Sequence, residues 1–268
     1  MRAKKSLGQN FLVDEGVVAR IVREVEPRAD ETIVEIGAGQ GALTGRLLER
    51  AGRVVAIEFD RELAPLLRGR FGGRENFVLV EEDALETDFC AVIAPSEKAR
   101  VVANLPYNIS TAILQRLIEQ RGCLTEMFLM LQREVVERMT AEPASSERGF
   151  LSVLVEAYAE AEALFDVAPG AFRPVPKVWS TVARLILRPH IGAEVADEAL
   201  LWRVVSAGFA QRRKTIFNNL RYSPADLRSR IEEKGGAQHI LKASGIDAQR
   251  RAETLTLEEW ARLANACE

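Results

Sequence analysis

The sequence predicts an α/β fold followed by a small, entirely helical domain. Up to about residue 140, short apolar segments rich in β-branched residues alternate with segments whose apolar residues recur at helical spacing. This alternation is typical of a parallel sheet covered by helices. Beyond Pro189 the pattern is helical to the last residue. We therefore expect a sheet-containing domain over 1–190 and a helical domain over 191–268, which suits a chain of 268 residues.

The composition is that of a globular protein able to bury a large core. Hydrophobic residues make up 47% of the chain and charged residues 28%. The formal net charge is −3 and the isoelectric point is about 5.7. Such a chain is not a strongly basic nucleic-acid binder, so any contact with RNA must come from local basic patches.

The cysteines and histidines indicate neither a redox motif nor a metal site. Cys90, Cys123 and Cys267 lie far apart and form no CxxC motif, and His190 and His239 have no cysteine neighbours. We see no signal peptide and no long apolar run, so we expect a cytoplasmic protein without a membrane segment. A metal centre or a histidine-based catalytic triad is not expected.

The amino-terminal residues precede a predicted helix. Asp14 can cap a helix whose apolar positions run from Val17 to Val25 and which ends before Pro27. The leading segment on its own is typical of a frayed tail. However, Gln9-Asn10-Phe11-Leu12 combines amide and apolar groups in a way that suits a segment lying over a ligand.

A glycine-rich loop follows the first predicted strand of the sheet. The strand is Thr32–Ile36, the loop is Gly37-Ala38-Gly39-Gln40-Gly41, and a helix with Leu47 and Leu48 comes next. A strand, a glycine loop and a helix in this order bring the backbone close to a nucleotide-like ligand.

Acidic residues follow the second and third predicted strands. Arg53–Glu58 ends in Glu58, roughly 20 residues after the glycine loop, where an acid commonly accepts hydrogen bonds from ribose hydroxyls. Capping of the next helix by Glu58 or Asp60 is the alternative role. Phe77–Val80 precedes three acids, of which Asp83 could accept from an adenine amino group. Such a run is more often a solvated loop.

The fourth strand, Val101–Asn104, leads into the loop Asn104-Leu105-Pro106-Tyr107. An asparagine amide offers an acceptor and two donors to an exocyclic amine. Pro106 restricts the backbone around Leu105, and Tyr107 offers a flat face to a base. An ordinary strand-to-helix turn with a core tyrosine explains the four residues equally well.

Three further strands complete a predicted sheet of seven. Glu126–Gln132 is the fifth, and Ala157–Val167 and Ser180–Leu187 form an antiparallel edge. The connection between the last two has three prolines in eight residues and is expected to be stiff. In it, Phe172 beside Arg173 could serve as a second stacking surface for a base.

The helical domain contains a local basic cluster. Arg212, Arg213 and Lys214 are consecutive, and Arg221 follows one or two helical turns later. Contact with phosphate and a solvated surface explain this cluster about equally well. Thr256 begins a capping box at the last predicted helix.

Taken in order, these motifs resemble the small-subunit (16S) ribosomal RNA adenine dimethyltransferase family over nearly the whole chain. The motifs that carry the resemblance are Ser6–Leu12, Glu35–Gly41, Asn104–Ser110, Phe172–Val178 and, in the helical domain, Phe209–Lys214 with Asn218–Leu220. The resemblance implies a Rossmann-like seven-stranded domain that uses S-adenosyl-L-methionine. It also implies a monomer that dimethylates two adjacent adenines of small-subunit ribosomal RNA within a pre-ribosomal subunit and so takes part in subunit maturation.

Site residues are implied by the same resemblance. Those expected to bind the cofactor are Gln9, Asn10, Leu12, Gly37, Gly39, Glu58, Asp83 and Asn104. Those expected to hold the target adenine are Asn104, Leu105, Pro106, Tyr107 and Phe172, and those expected to bind RNA are Arg212, Arg213, Lys214 and Arg221. The mild acidity of the chain and Gln40 in the glycine loop depart from the family pattern.

Two other functions fit the same motifs. One is an adenine methyltransferase of large-subunit ribosomal RNA, of the macrolide-resistance type. The other is a non-catalytic ribosome-assembly factor on the same fold. The intact glycine loop, Glu58 and Asn104 favour an active enzyme.

Overall fold

The computed structural model describes residues 9–268, and the part of the first motif at Ser6–Gly8 lies outside these described residues. The chain forms two compact units. The first holds the chain up to Val136 together with Ala161–Pro189, and the second holds Glu137–Glu160 and His190–Glu268.

The first unit contains the seven-stranded sheet that the sequence predicts. In chain order the described strands are β1 (Phe11–Leu12), β2 (Thr32–Ile36), β3 (Arg53–Ile57), β4 (Phe77–Val80), β5 (Ala99–Asn104), β6 (Leu124–Gln132), β7 (Ala159–Val167), β8 (Phe172–Arg173) and β9 (Ser180–Leu187). Strands β1 and β8 pair in a separate two-stranded sheet, and the other seven form the large sheet. The order in the large sheet is β4-β3-β2-β5-β6-β9-β7. Strands β2 to β6 run parallel and β9 is antiparallel to β6. The Rossmann-like prediction is therefore confirmed.

The strand order reverses between β2 and β5. From β2 the chain proceeds outward through β3 and β4, and it then returns to the other side of β2 as β5. A ligand crevice is expected where the strand order reverses, at the carboxyl ends of the strands. Strand β2 is buried along its whole length, because a central parallel strand is covered on both faces.

Helices cover the sheet and form the second unit. In chain order they are α1 (Glu15–Val25), α2 (Ala42–Leu47), α3 (Leu63–Phe71), α4 (Phe89–Val92), α5 (Ser110–Glu119), α6 (Arg133–Met139), α7 (Phe150–Tyr158), α8 (Glu198–Gly208), α9 (Ile216–Arg221), α10 (Ala225–Glu233), α11 (Ala237–Ala243) and α12 (Leu257–Asn265). Asp14 caps α1 by accepting hydrogen bonds from the backbone of Gly16 and Val17, and Thr256 forms the predicted capping box with Glu259.

The second unit includes a segment that the sequence assigns to the first domain. Residues 137–160 belong to the helical unit, whereas the sequence predicted a boundary only near residue 190. Helix α7 is apolar on most sides and packs against α8 and α12. The buried guanidinium of Arg148 donates to the carbonyl oxygens of Ala141 and Leu255 and pairs with Glu156. These contacts hold the segment in the helical unit.

Two of the three cysteines are bonded to each other. Cys90 in α4 and Cys123 before β6 form a disulfide, whereas Cys267 is free and buried. The sequence spacing did not indicate this bond, which is uncommon in the reducing compartment that we expected. None of the described helices is long and apolar enough to cross a membrane. Within residues 9–268, no cluster of three or more His, Cys, Asp and Glu side chains could hold a metal ion.

Candidate active site

A cavity of about 280 Å³ lies at the carboxyl ends of β2, β3, β4 and β5. Most of the residues predicted to bind a cofactor line it, namely Gln9, Asn10, Gly37, Gly39, Glu58, Asp83 and Asn104. Three of the residues predicted to hold a base line it as well, namely Leu105, Pro106 and Tyr107. These residues lie close together because the carboxyl ends of parallel strands, and the loops that follow them, are at the same edge of the sheet.

The glycine loop between β2 and α2 needs its glycines. Gly37, Gly39 and Gly41 have φ values of 71°, 60° and 80°, a region in which side chains other than glycine are strained. A Cβ on Gly41 would lie 2.5 Å from the Phe71 ring, and one on Gly39 would lie 3.3 Å from the Phe11 ring. The loop therefore presents bare backbone to the cavity at Gly37 and Gly39.

Glu58, directly after β3, connects the glycine loop to the loop that follows β3. Its Oε2 accepts a hydrogen bond of 2.8 Å from the Gly39 backbone, and its Oε1 accepts one of 2.9 Å from the Asp60 backbone. Burial raises the pKa of Glu58 above its ordinary value, and these two bonds oppose that rise. Because each carboxylate oxygen can accept more than one bond, Glu58 retains capacity for the hydroxyls of a ligand.

Glu58 is followed by two residues that the sequence predictions missed. Asp60 is buried, accepts from the Gln9 side chain at 2.8 Å, and accepts from the backbone of Glu62 at 2.9 Å. Phe59 lines the cavity with 57% of its surface exposed. A large apolar side chain directly after a strand-ending acid was the signal that could have identified Phe59.

Asp83 lies in a tight turn after β4. Its Oδ1 accepts from the Leu85 backbone at 2.9 Å, and its carbonyl oxygen accepts from the backbones of Glu86 and Thr87. The turn fixes Asp83 at the cavity wall and leaves its Oδ2 without a hydrogen-bond donor among residues 9–268. That oxygen can accept from an amino group.

Asn104 ends β5 and carries a half-buried amide. Its Nδ2 donates to the Asn10 carbonyl oxygen at 3.1 Å. One amide N–H is thereby committed, which leaves Oδ1 as an acceptor for an incoming amine. The N–H of the next residue, Leu105, donates to the Met130 carbonyl oxygen. In the part of the chain that the structure describes, the Leu105 carbonyl oxygen accepts no hydrogen bond.

Tyr107 is held by a residue of strand β9. Its hydroxyl lies 2.7 Å from the Ser180 Oγ at the start of β9. Burial raises the pKa of Tyr107 above its ordinary value, and the bond to Ser180 opposes the rise. The hydroxyl is therefore protonated at neutral pH, and its bond to Ser180 restrains the ring beside the cavity.

Two predicted site residues point elsewhere. Phe172 is fully buried and Leu12 is 7% exposed, and both belong to the hydrophobic core. They face each other in the pairing of β1 with β8, and side chains on a strand alternate between faces. Phe11, one position earlier, therefore lines the cavity in place of Leu12. In this structure Phe172 offers no face to a base.

Glu35, in the strand before the glycine loop, is also buried. It is 2% exposed. Burial raises the pKa of Glu35 to about 8, and the nearby charge of Glu58 adds to the rise. A protonated carboxyl group therefore lies beneath the loop at neutral pH.

The predicted RNA-binding cations lie in the helical unit. Arg213, Lys214 and Arg221 are exposed. Arg212 instead ties two segments of this unit together, because its guanidinium donates to the carbonyl oxygens of Ser146 and Arg148. Arg212 thus has a structural role within the cluster.

Comparison with known proteins gives the same result over nearly the full length. Residues 1–267 match the family model described as ribosomal RNA adenine dimethylase. Two proteins named ribosomal RNA small subunit methyltransferase A are similar to this chain. The one from Hahella chejuensis is 42% identical, covering 98% of this chain and 92% of its own. The one from Chromohalobacter salexigens is 45% identical, covering 98% and 91%.

Solved structures share the fold. The 23S rRNA methyltransferase ErmE superposes with a TM-score of 0.70 at 29% identity, covering 96% of this chain and 99% of its own. A dimethyladenosine transferase from Plasmodium falciparum superposes with a TM-score of 0.76 at 23% identity, covering 94% and 95%.

Proposed function

Since the chain belongs to the ribosomal RNA adenine dimethylase family, we propose that it dimethylates N6 of two adjacent adenines in small-subunit ribosomal RNA, with S-adenosyl-L-methionine as the methyl donor. The observation that carries this proposal is the shared cavity at the strand ends. Glu58, Asp83 and Asn104 lie at or beyond the carboxyl ends of three different strands and line it together. Glu58 and Asp83 offer acceptors to the nucleoside of the methyl donor, and Asn104 offers its amide to the amine of the target adenine. Such a cavity suits transfer of a methyl group from the donor to that amine.

The chain's own residues fit the donor. Gly37 and Gly39 offer backbone without a Cβ, Glu58 can accept from ribose hydroxyls, and Asp83 can accept from the adenine amino group. Phe59 offers an apolar surface to the adenine ring. When bound, S-adenosyl-L-methionine supplies a methyl group activated by a positively charged sulfur. The protein therefore contributes mainly orientation.

The Asn104 loop suits recognition of the acceptor amine. The N6 lone pair of adenine is delocalised into the ring, which makes N6 a poor nucleophile. Hydrogen bonds from its two N–H groups to Asn104 Oδ1 and the Leu105 carbonyl would favour a tetrahedral nitrogen and aim its lone pair. Tyr107 would stack on the base after it leaves the RNA structure. The methylated amine loses its proton readily, so the site needs no strong base.

Dimethylation adds a constraint. After the first transfer only one N–H remains, so one of the two contacts must be dispensable in the second round. The Asn104 Nδ2 donates to the Asn10 carbonyl oxygen, which fixes the direction of Oδ1. We infer that the Asn104 contact is kept in the second round and the Leu105 contact is lost.

The cellular setting is also part of the proposal. We propose that the protein acts as a monomer in the cytoplasm. Its substrate would be a maturing small subunit in which both adenines are still accessible. The exposed Arg213, Lys214 and Arg221 would supply local positive charge in a chain whose net charge is −3.

The proposal is tested by tritiated-methyl incorporation into ribosomal subunits from cells that lack the modification. We expect label in small-subunit RNA, mapped to two adjacent adenines, and none in large subunits. Label in large-subunit RNA would instead support the activity named for ErmE, which shares 29% identity with this chain. No incorporation by the wild-type protein, with small-subunit binding retained, would support the non-catalytic assembly factor.

A further inference from the structure

An exposed aromatic ring lies beside an arginine in the helical unit, on a segment of the chain that carries further cations. Tyr222 directly follows α9 and has 67% of its surface exposed. The Arg221 guanidinium carbon lies 5.6 Å from the centroid of the Tyr222 ring. Within residues 9–268, no other aromatic ring stacks on it. Exposure of so much apolar surface beside a cation is typical of surfaces that bind nucleobases.

The segment that carries the ring is positively charged. The segment from Gln211 to Tyr222 contains four cations and no carboxylate. Among the described residues, Arg213, Lys214 and Arg221 form no ion pair. Other arginines of this unit do pair, as Arg148 does with Glu156, Arg203 with Asp226 and Arg250 with Glu259. We call Arg213, Lys214, Arg221 and Tyr222 the α9 patch.

The backbone that carries the α9 patch is held in place. Asn219 is buried, and its Nδ2 donates to the carbonyl oxygens of Gly208 at 2.5 Å and Gln211 at 3.2 Å. The Ile216 N–H donates to the Arg250 carbonyl at 2.8 Å. A surface whose backbone is already ordered loses less entropy on binding.

We propose that the α9 patch binds an unpaired segment of small-subunit ribosomal RNA, with Tyr222 stacking on one base and the three cations contacting neighbouring phosphates. This inference rests on the proposed function and adds a base contact to it. An acidic protein segment would need the cations alone. An exposed ring next to a guanidinium matches RNA better, because unpaired bases stack on aromatic and arginine planes.

The test compares Tyr222→Ala with Tyr222→Phe in the full-length protein. The probe is deproteinised small-subunit ribosomal RNA from cells that lack the modification, and binding is measured at several salt concentrations. Tyr222→Ala should weaken binding about tenfold with the salt slope unchanged, because stacking involves no counterion release. Tyr222→Phe should stay within about twofold of wild type, since the ring remains. Arg213→Ala should lower the salt slope by about 1.

Controls separate stacking from other causes. Lys242→Ala removes an exposed cation from α11 in the same unit, and thermal unfolding and cofactor binding report folding. Wild-type affinity in Tyr222→Ala, or an equal loss in Tyr222→Phe, would overturn the stacking contact. A loss seen with intact subunits but not with deproteinised RNA would assign the patch to a ribosomal protein instead. Methyl incorporation by the wild-type protein is measured separately. Failure of the proposed methyltransferase function can therefore be distinguished from failure of the Tyr222 stacking contact.

Discussion

The Asn104 side chain is anchored to the amino-terminal segment, since its Nδ2 donates to the Asn10 carbonyl oxygen at 3.1 Å. In the proposed mechanism, this bond would orient the Asn104 amide so that its Oδ1 faces the incoming amine. It also links the strap at Gln9–Leu12 to the loop after β5.

We expect Asn104→Ala to bind the cofactor with nearly wild-type affinity and to lose about 100-fold in kcat, because a preoriented hydrogen-bonding group is removed from the reacting amine. Asn104→Asp is the matched control. It keeps an acceptor of the same size but places an oxygen against the Asn10 carbonyl, so it should not restore activity. Calorimetric cofactor titration and single-turnover methyl transfer measure the two effects. Unimpaired transfer by Asn104→Ala would remove the residue from the mechanism.

A second prediction concerns the contact between Tyr107 and Ser180, whose oxygens lie 2.7 Å apart. Tyr107→Phe and Ser180→Ala should each cost about 1 kcal/mol of unfolding free energy and raise the KM for RNA a few-fold. The double variant should cost less than the sum of the two, because both single changes break one bond. Tyr107→Ala also removes the ring and should lower kcat/KM by at least about tenfold. Denaturant unfolding and steady-state kinetics provide the comparison, and strict additivity would contradict the coupling.

The sequence predicted the cavity well where local pattern determines position. Gly37, Glu58 and Asn104 each follow an apolar strand, and parallel strands bring their carboxyl ends to one edge. Phe172 and Leu12 were wrongly placed because two-residue strands show no periodicity. Leu12 in β1 pairs with Phe172 in β8, and the two residues are 160 positions apart in the sequence. Only tertiary structure reveals which face of such a pair meets the core.

The predicted boundary near residue 190 coincides with a division between the two units, but the sequence did not reveal that residues 137–160 belong to the helical unit. Helix α7 is apolar on most sides, which suits either a sheet-covering helix or the centre of a helical unit. The deciding contact is the buried Arg148, whose partner Leu255 is more than 100 residues away in sequence. The bond between Cys90 and Cys123 was likewise invisible from spacing alone.

The third prediction follows from the buried Glu35. Its pKa is raised to about 8 from an ordinary 4.5, so between these values the folded state binds more protons than the unfolded state. The contribution of Glu35 to the unfolding free energy therefore falls as pH rises from 4.5 to 8, by at most about 1.4 kcal/mol per unit. Glu35→Gln should lose this dependence and become more stable relative to wild type at pH 8 than at pH 5. Denaturant unfolding over this range measures it, with Glu75→Gln, at an exposed site, as the matched control. A constant difference between wild type and Glu35→Gln would contradict the raised pKa.

The fourth prediction concerns the bond between Cys90 and Cys123, which are 33 residues apart. Closing a loop of that length stabilises a fold by about 3–4 kcal/mol in the chain-entropy model. Next to the bond, the Gln120 side chain accepts from the Phe89 backbone and donates to the Thr87 carbonyl, so the segment after Asp83 is tied to the end of α5. Reductant should therefore lower the melting temperature of wild type and leave Cys90→Ala unchanged. Thiol titration in denaturant should find one free thiol before reduction and three after it. Three thiols before reduction would show that the bond does not form.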